Sequence, residues 1–251
     1  WRRFSFSEPI DASGLDAVVH LAGESILGCW TAKKKNQIRE SRISGTRSVV
    51  GGIAATADRP ITLISGSAIG YYGDTGDLEV TESSPAGRGF LAEVAQAWEA
   101  EALKAMSARV VLLRTGFVLG RGAGAMRLIA PVFRAGLGGK LGNGKQWMSP
   151  LHVEDVAGMV LHAIRSDSVS GPLNAVMPTP IRNADFTSEV GRAAGRPTIL
   201  PAPAFAIRAV LGELSQLLLE SQRVIPAVAE ESGYAYRFAD LRAALADVFA
   251  P

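Results

Sequence analysis

Three short apolar runs, each closing on glycine or a hydroxyl residue, are set between helical stretches. They are Asp16-Ala17-Val18-Val19-His20-Leu21-Ala22-Gly23, Ile61 to Ile64 closing on Ser65-Gly66-Ser67, and Val110 to Leu113 closing on Arg114-Thr115-Gly116. Thr31 to Ala57, Gly89 to Ser107 and Val153 to Ile164 have helical composition, and Leu173 to Val176 reads as a further strand. Strands alternating with helices require a parallel sheet with helical crossovers, a doubly wound α/β fold. Ligands of such sheets sit outside the carboxyl ends of the strands. One small-residue strand end reads as a tight turn. Three together read as the wall of a ligand crevice, with Leu21, Ala22, Gly23, Ser65, Gly66, Thr115, Gly116, Phe117 and Val118 lining it.

The 251 residues suffice for one large or two small domains. A net charge of +2, from 26 Lys and Arg against 24 Asp and Glu, gives no attraction to nucleic acid or membrane. The single Cys29 leaves no internal disulfide and fits a reducing cytosol, so a cytoplasmic location is expected. No His, Cys or acidic residues show metal-ligand spacing, so no metal is expected. After Pro178 the character changes to helical, with Asn183 to Ala194, a long apolar Ala204 to Glu220 and a last helix Ala239 to Phe249. The chain therefore divides at residue 178 into a sheet domain, 1–178, and a smaller helical lobe, 179–251. Leu211, Leu214, Leu217 and Leu218 give the lobe an apolar stripe that needs cover.

These pieces resemble the extended short-chain dehydrogenase/reductase superfamily, to which the nucleotide-sugar epimerases belong. Asp16 to Gly23 resembles its fourth strand, Gly45-Thr46 its helix motif, and Ser65 to Gly73 its Ser-Ser-x-x-x-Tyr-Gly segment with one residue extra. Leu113 to Gly120 resembles the Leu-Arg strand, and Gly142-Asn143-Gly144 with Leu151 to Val156 the Gly-Asp-Gly…Ile-His-Val-Asp-Asp segment. His20-Leu21-Ala22-Gly23-Glu24, "SAIGYYGD", "FLAEV…WE" and "RTGFVLG" narrow the match to an atypical NAD(P)-dependent epimerase-family branch, sometimes called cell-division-inhibitor-like. That branch carries its own C-terminal module, here Pro203 to Phe249. The resemblance implies a Rossmann-like fold. It also implies an amino-terminal truncation, because no Gly-x-x-Gly-x-x-Gly turn precedes Asp16 and the chain opens at Trp1. Strands central in the full sheet would then lie at an edge.

The resemblance implies NADP or NAD as cofactor, a small-molecule substrate of unassigned class, and leaves a homodimer open. It places the catalytic serine at Ser67. The Tyr-x-x-x-Lys pair expected after Gly89 is absent, since Phe90 to Ala95 contains neither residue, and Arg42 stands where an Asn is expected. Without that phenol and ammonium the usual general acid is missing. Tyr71, Tyr72 and Trp147 are assigned to the substrate side, the Tyr pair as crevice wall. Glu24 and Arg42 read equally as cofactor contacts and as a structural ion pair. His20 and His152 read as structural, Glu93 as a solvated helix residue that would act as a base only if buried, and Lys33-Lys34-Lys35 as a solvated face. Two functions result: an oxidoreductase- or epimerase-like NAD(P) protein with altered chemistry, or a non-catalytic dinucleotide sensor or scaffold, the latter tied to cell division.

Overall fold

The computed structural model describes residues 9–56, 59–122 and 124–250; Trp1 and Ala57, used above, lie outside them. The chain divides into two compact units that are discontinuous in sequence. The first comprises Trp1–Gly73, Ala86–Arg114 and Val160–Leu173; the second comprises Asp74–Pro85, Thr115–Met159 and Asn174–Pro251. The boundary read at residue 178 follows composition, whereas the compact units follow contacts. The second unit therefore gathers two earlier segments around the helical C-terminal part.

The first unit is built on a four-stranded sheet in the order Ala17–His20, Ile61–Ala68, Ala108–Thr115, Gly171–Ala175. The first two strands run parallel, Ala17 opposite Thr62 and His20 opposite Ser65. Helix Ala32–Thr56 makes the crossover between them and helix Phe90–Ala102 leads to the third strand. The strand Ile61–Ala68 is buried along nearly its whole length, as a central parallel strand must be. Helix Ala32–Thr56 buries its apolar second half: Val49, Val50 and Ile53 pack with Ala12, Ile61, Leu63 and Ala105 in one cluster. Gly52 lets this helix close on Ile10, where a Cβ would lie 2.2 Å from the Ile10 carbonyl oxygen. Arg109 ties the sheet to the end of the helix Val153–Arg165 by donating to the carbonyls of Ala163, Ile164 and Ser166.

The second unit holds three two-stranded pairings: Phe117–Leu119 with Pro150–His152, Trp147–Met148 with Ile181–Arg182, and Glu79–Val80 with Arg223–Val224. Helix Asn183–Ala194 packs against Met126–Arg134 and Leu241–Phe249. The long apolar helix expected over Ala204 to Glu220 is instead broken. Helix Ala204–Leu211 stops at Gly212, whose φ of 55° and ψ of −133° cannot continue it, and a 3₁₀ turn and the short helix Gln216–Leu219 follow. The leucine stripe is consequently not core: Leu217 is exposed, and Leu211, Leu214 and Leu218 are half-buried.

The C-terminal part is stitched into the second unit. Asp155, fully buried, accepts from the Tyr234 hydroxyl (2.9 Å) and from the backbone N–H groups of Arg237 (2.7 Å) and Phe238 (2.9 Å). Burial and the Asp155 carboxylate both push the Tyr234 phenol above its ordinary range. Asp155 therefore clamps the Gly233-Tyr234-Ala235-Tyr236 turn. Ser221 is gripped in turn: its N–H donates to Asp74 and its hydroxyl to the Gly76 carbonyl.

Candidate functional site

The first unit carries a buried polar network at the end of the strand Ile61–Ala68. Alternation along the strand turns Ser65 and Ser67 to one face and Gly66 to the other. The Ser67 hydroxyl donates to Glu99 Oε1 at 2.6 Å. Glu99, on helix Phe90–Ala102, is held by both arms of Arg114, Nε to Oε1 and Nη2 to Oε2, each at 2.8 Å. Arg114 Nη1 donates to the Tyr72 hydroxyl at 2.9 Å, and its guanidinium lies 3.5 Å from the centre of the Tyr71 ring. Ser67, Glu99, Arg114 and Tyr72 are all buried. Burial by itself would lower the Arg114 guanidinium, but the hydrogen bonds of Glu99 and Tyr72 outweigh it and hold the cation above its ordinary value. A bidentate, charge-assisted pair of this geometry is among the strong hydrogen-bonding arrangements.

The chemical consequence falls on Ser67. Its single proton is committed to a carboxylate, so the hydroxyl offers lone pairs to a ligand. Turning that proton away would take a hydrogen bond from a buried charge, worth about 1.5–3 kcal/mol. Glu99 and Arg114 appear in the sequence only within motifs, with no site role assigned to them. The signal was an arginine at the end of the apolar run Val110 to Leu113: a cation there needs a buried partner.

The neighbouring helix start shows what occupies the missing acid's place. Ala95 is buried, as are Ala92 and Val94, and none of these side chains carries a donor. A Cβ on Gly70, in the 3₁₀ turn Ile69–Tyr72, would stand 3.4 Å from the Leu91 side chain. Phe90 packs edge-on against Trp30 at 5.2 Å, and Lys35 stands 5.3 Å over its ring. Lys34 binds Glu24 at 2.5 Å, so two of the three lysines read as a solvated face have partners.

Leu21, Ala22, Gly23 and Glu24 follow the strand Ala17–His20 and are exposed. The Glu24–Arg42 ion pair weighed in the sequence takes another form. The Glu24 carboxylate goes to Lys34, and Arg42 Nη1 donates to the Glu24 backbone carbonyl (2.9 Å) and the Ile38 carbonyl (3.1 Å). Burial holds the Arg42 guanidinium below its ordinary value, against the raising field of Glu24. A Cβ at Gly66 would meet the Trp98 ring at 2.8 Å, so close packing of that indole demands this glycine.

In the second unit, Gly116 is likewise a packing glycine: a Cβ there would lie 2.2 Å from the Ser149 carbonyl oxygen. Gly116 N–H donates to Ala175 and Phe117 N–H to Ser149. Val118 lies in the strand paired with Pro150–His152, and the Phe117 ring meets Phe186 edge-on at 5.6 Å. Thr115 ends the strand Ala108–Thr115 half-buried. Two guanidinium groups lie over the Trp147 ring, Arg182 at 4.0 Å and Arg223 at 4.6 Å, and its indole N–H donates to Asp77. The Arg182 hydrogen bond and charge hold Asp77 below the usual carboxylate range. Asp77 and Arg182 also border a cavity of about 770 Å³, lined by Gly142, Gly144, Lys145, Asp185, Arg208 and Ser221 among others, with Trp147 itself outside the lining. Among the described residues no cluster of His, Cys, Asp and Glu could hold a metal ion, and no helix is long and apolar enough to cross a membrane.

Residues 3–175 match the model of the NAD dependent epimerase/dehydratase family. The chain belongs to this family. Residues 202–248, the part fastened by Asp155 and Ser221, match a domain of unknown function, DUF1731. Relatives include the epimerase family protein SDR39U1 homolog, chloroplastic, of Arabidopsis thaliana, 40% identical over 92% of this chain and 68% of its own length. The epimerase family protein ML0860 of Mycobacterium leprae is 44% identical over 88% of this chain and 73% of its own. Among solved structures, the human epimerase family protein SDR39U1 (isoform 2) with NADPH superposes with a TM-score of 0.90 at 37% identity, covering 93% of this chain and 81% of that one. The α/β fold with a Rossmann-type parallel sheet and helical parts is therefore that of the family.

Proposed function

We propose that the protein binds a nicotinamide dinucleotide, NADP or NAD, in the cytosol and acts as an oxidoreductase- or epimerase-like protein on a small molecule, with proton chemistry unlike that of its superfamily. The observation that carries this reading is the exposed end of the strand Ala17–His20. There Leu21 to Glu24 stand in solvent, and Gly23, lacking a Cβ, lies against the anchored Arg42. An open strand end with a fixed cation suits a phosphate-bearing cofactor. The NADPH of the human relative supports the choice of ligand. The cofactor, when bound, supplies a hydride donor or acceptor at nicotinamide C4.

This chain's own residues then bind and orient. Ser67, fixed by Glu99 and Arg114, accepts a hydrogen bond from a donor on the bound ligand. Ser65 and Gly66 shape the same strand end, and Tyr71 covers Arg114. Thr115, Gly116, Phe117 and Val118, read in the sequence as crevice lining, are assigned to cofactor binding as part of the proposal. Arg182 and Asp77, the partners of Trp147, line the second unit's cavity, which is large enough for a small polar substrate. The reading as a non-catalytic sensor is favoured by one observation: the Ser67 proton is committed to Glu99 while Leu91 and Ala95 replace the acid pair. Calorimetric titration with NADPH and NADH tests the shared premise. Saturable binding of at least one dinucleotide is expected; failure of both would overturn it.

A further inference from the structure

Arg42 is a half-buried cation whose hydrogen-bond acceptors are both neutral. Its Nη1 is spent on the carbonyls of Glu24 and Ile38, and its guanidinium stands 5.1 Å from the Trp98 ring centre. The Glu24 carboxylate, whose charge reaches Arg42, is hydrogen-bonded to Lys34 and not to the guanidinium. A guanidinium has five N–H donors, so Nε and Nη2 remain as an edge matched to two oxygens of one anion. The group is also placed with little freedom: a Cβ on Gly23 would stand 3.1 Å from Arg42 Cζ, so a bulkier residue would push it away. Residues 21–25 beside it are exposed.

We propose that Arg42 is a preorganised phosphate-binding residue, taking two oxygens of one phosphate group at the carboxyl end of the strand Ala17–His20. The inference rests on the nicotinamide-dinucleotide reading for one source of that phosphate, the cofactor itself; the other source is a second phosphorylated ligand. Two carbonyls and an indole hold the fork, so binding an anion costs little ordering of the side chain. Arg rather than Lys suits the position because an ammonium donating to two carbonyls would keep one N–H for the anion, whereas the guanidinium keeps a two-donor edge.

The test compares the protein with Arg42→Gln, Arg42→Lys and Gly23→Ala. The ligands are NADPH, reduced nicotinamide riboside, which has no phosphate, and inorganic pyrophosphate. If the cofactor supplies the phosphate, Arg42→Gln weakens NADPH by about tenfold or more, Arg42→Lys recovers part of it, and the riboside is unchanged. If a second ligand supplies it, NADPH affinity holds but the NADPH-saturated protein loses pyrophosphate binding in Arg42→Gln. Gly23→Ala keeps the charge and moves the fork, so it weakens the same ligand even if the Arg42 variants fold poorly. Folded variants that bind both NADPH and pyrophosphate within about twofold of the parent would overturn the proposal. A parent that binds no NADPH would instead overturn the cofactor reading, and the pyrophosphate arm would still decide the role of Arg42.

Discussion

Ser67 shows how a residue can be legible while its chemistry is not. Its place at a strand end is plain from the sequence. Its hydrogen bond is not, because Glu99 and Arg114 come from different elements and meet only in the folded chain. Removing one partner of a buried ion pair leaves the other uncompensated, at a cost of about 3–5 kcal/mol. Glu99→Gln is therefore expected to destabilise by that order, and Ser67→Ala by about 1.5–3 kcal/mol, since the ion pair survives it. Urea denaturation of both variants checks the order; a Ser67→Ala loss equal to that of Glu99→Gln would mean the pair is not the anchor. His20 makes a second residue-scale prediction. Burial lowers its pKa from the ordinary 6.5, so the folded protein prefers the neutral ring. The unfolded chain then binds more protons just below that value, and stability falls as pH drops through it. His20→Gln should flatten this acid slope in thermal melts at a series of pH values; an unchanged slope would remove His20 as its source.

Among the elements, the long helices were readable from composition. The helix read over Thr31 to Ala57 forms as Ala32–Thr56, and that over Asn183 to Ala194 forms with those bounds. The long apolar stretch after Ala204 does not form one helix because one glycine outweighs composition: the run is mostly apolar, but Gly212 takes a conformation with positive φ. Gly52 carries the element-scale prediction. Helix propensity alone would make Gly52→Ala stabilising by about 1 kcal/mol. The Ile10 backbone at 2.2 Å cannot swing aside as a flexible side chain could. Overpacking costs about 1–3 kcal/mol, so a net loss of stability is expected. A higher melting temperature for Gly52→Ala would show that the Ile10 segment yields.

For the whole molecule, the sequence marks Pro203 to Phe249 as a module but does not show what fastens it. The fastening comes from residues far off in sequence, Asp74, Gly76 and Asp155, each chosen by the folded chain. Limited proteolysis should therefore release no folded fragment spanning 203–249. Asp155→Asn, which keeps one acceptor oxygen for three donors, should lower stability by roughly 1–3 kcal/mol and speed cleavage near Tyr234. The functional account also stands at this scale: a family member that binds the dinucleotide but lacks the usual acid. The most direct test is nicotinamide absorbance of the protein presented with small carbonyls when loaded with NADPH, and with nucleotide sugars when loaded with oxidised NADP. The account predicts hydride transfer that is slow but not zero, reflecting a deficit of about 10²–10⁴ from the absent acid. Rapid, saturable turnover of an ordinary nucleotide sugar would contradict it and point to Tyr71 or Tyr72 as the proton donor.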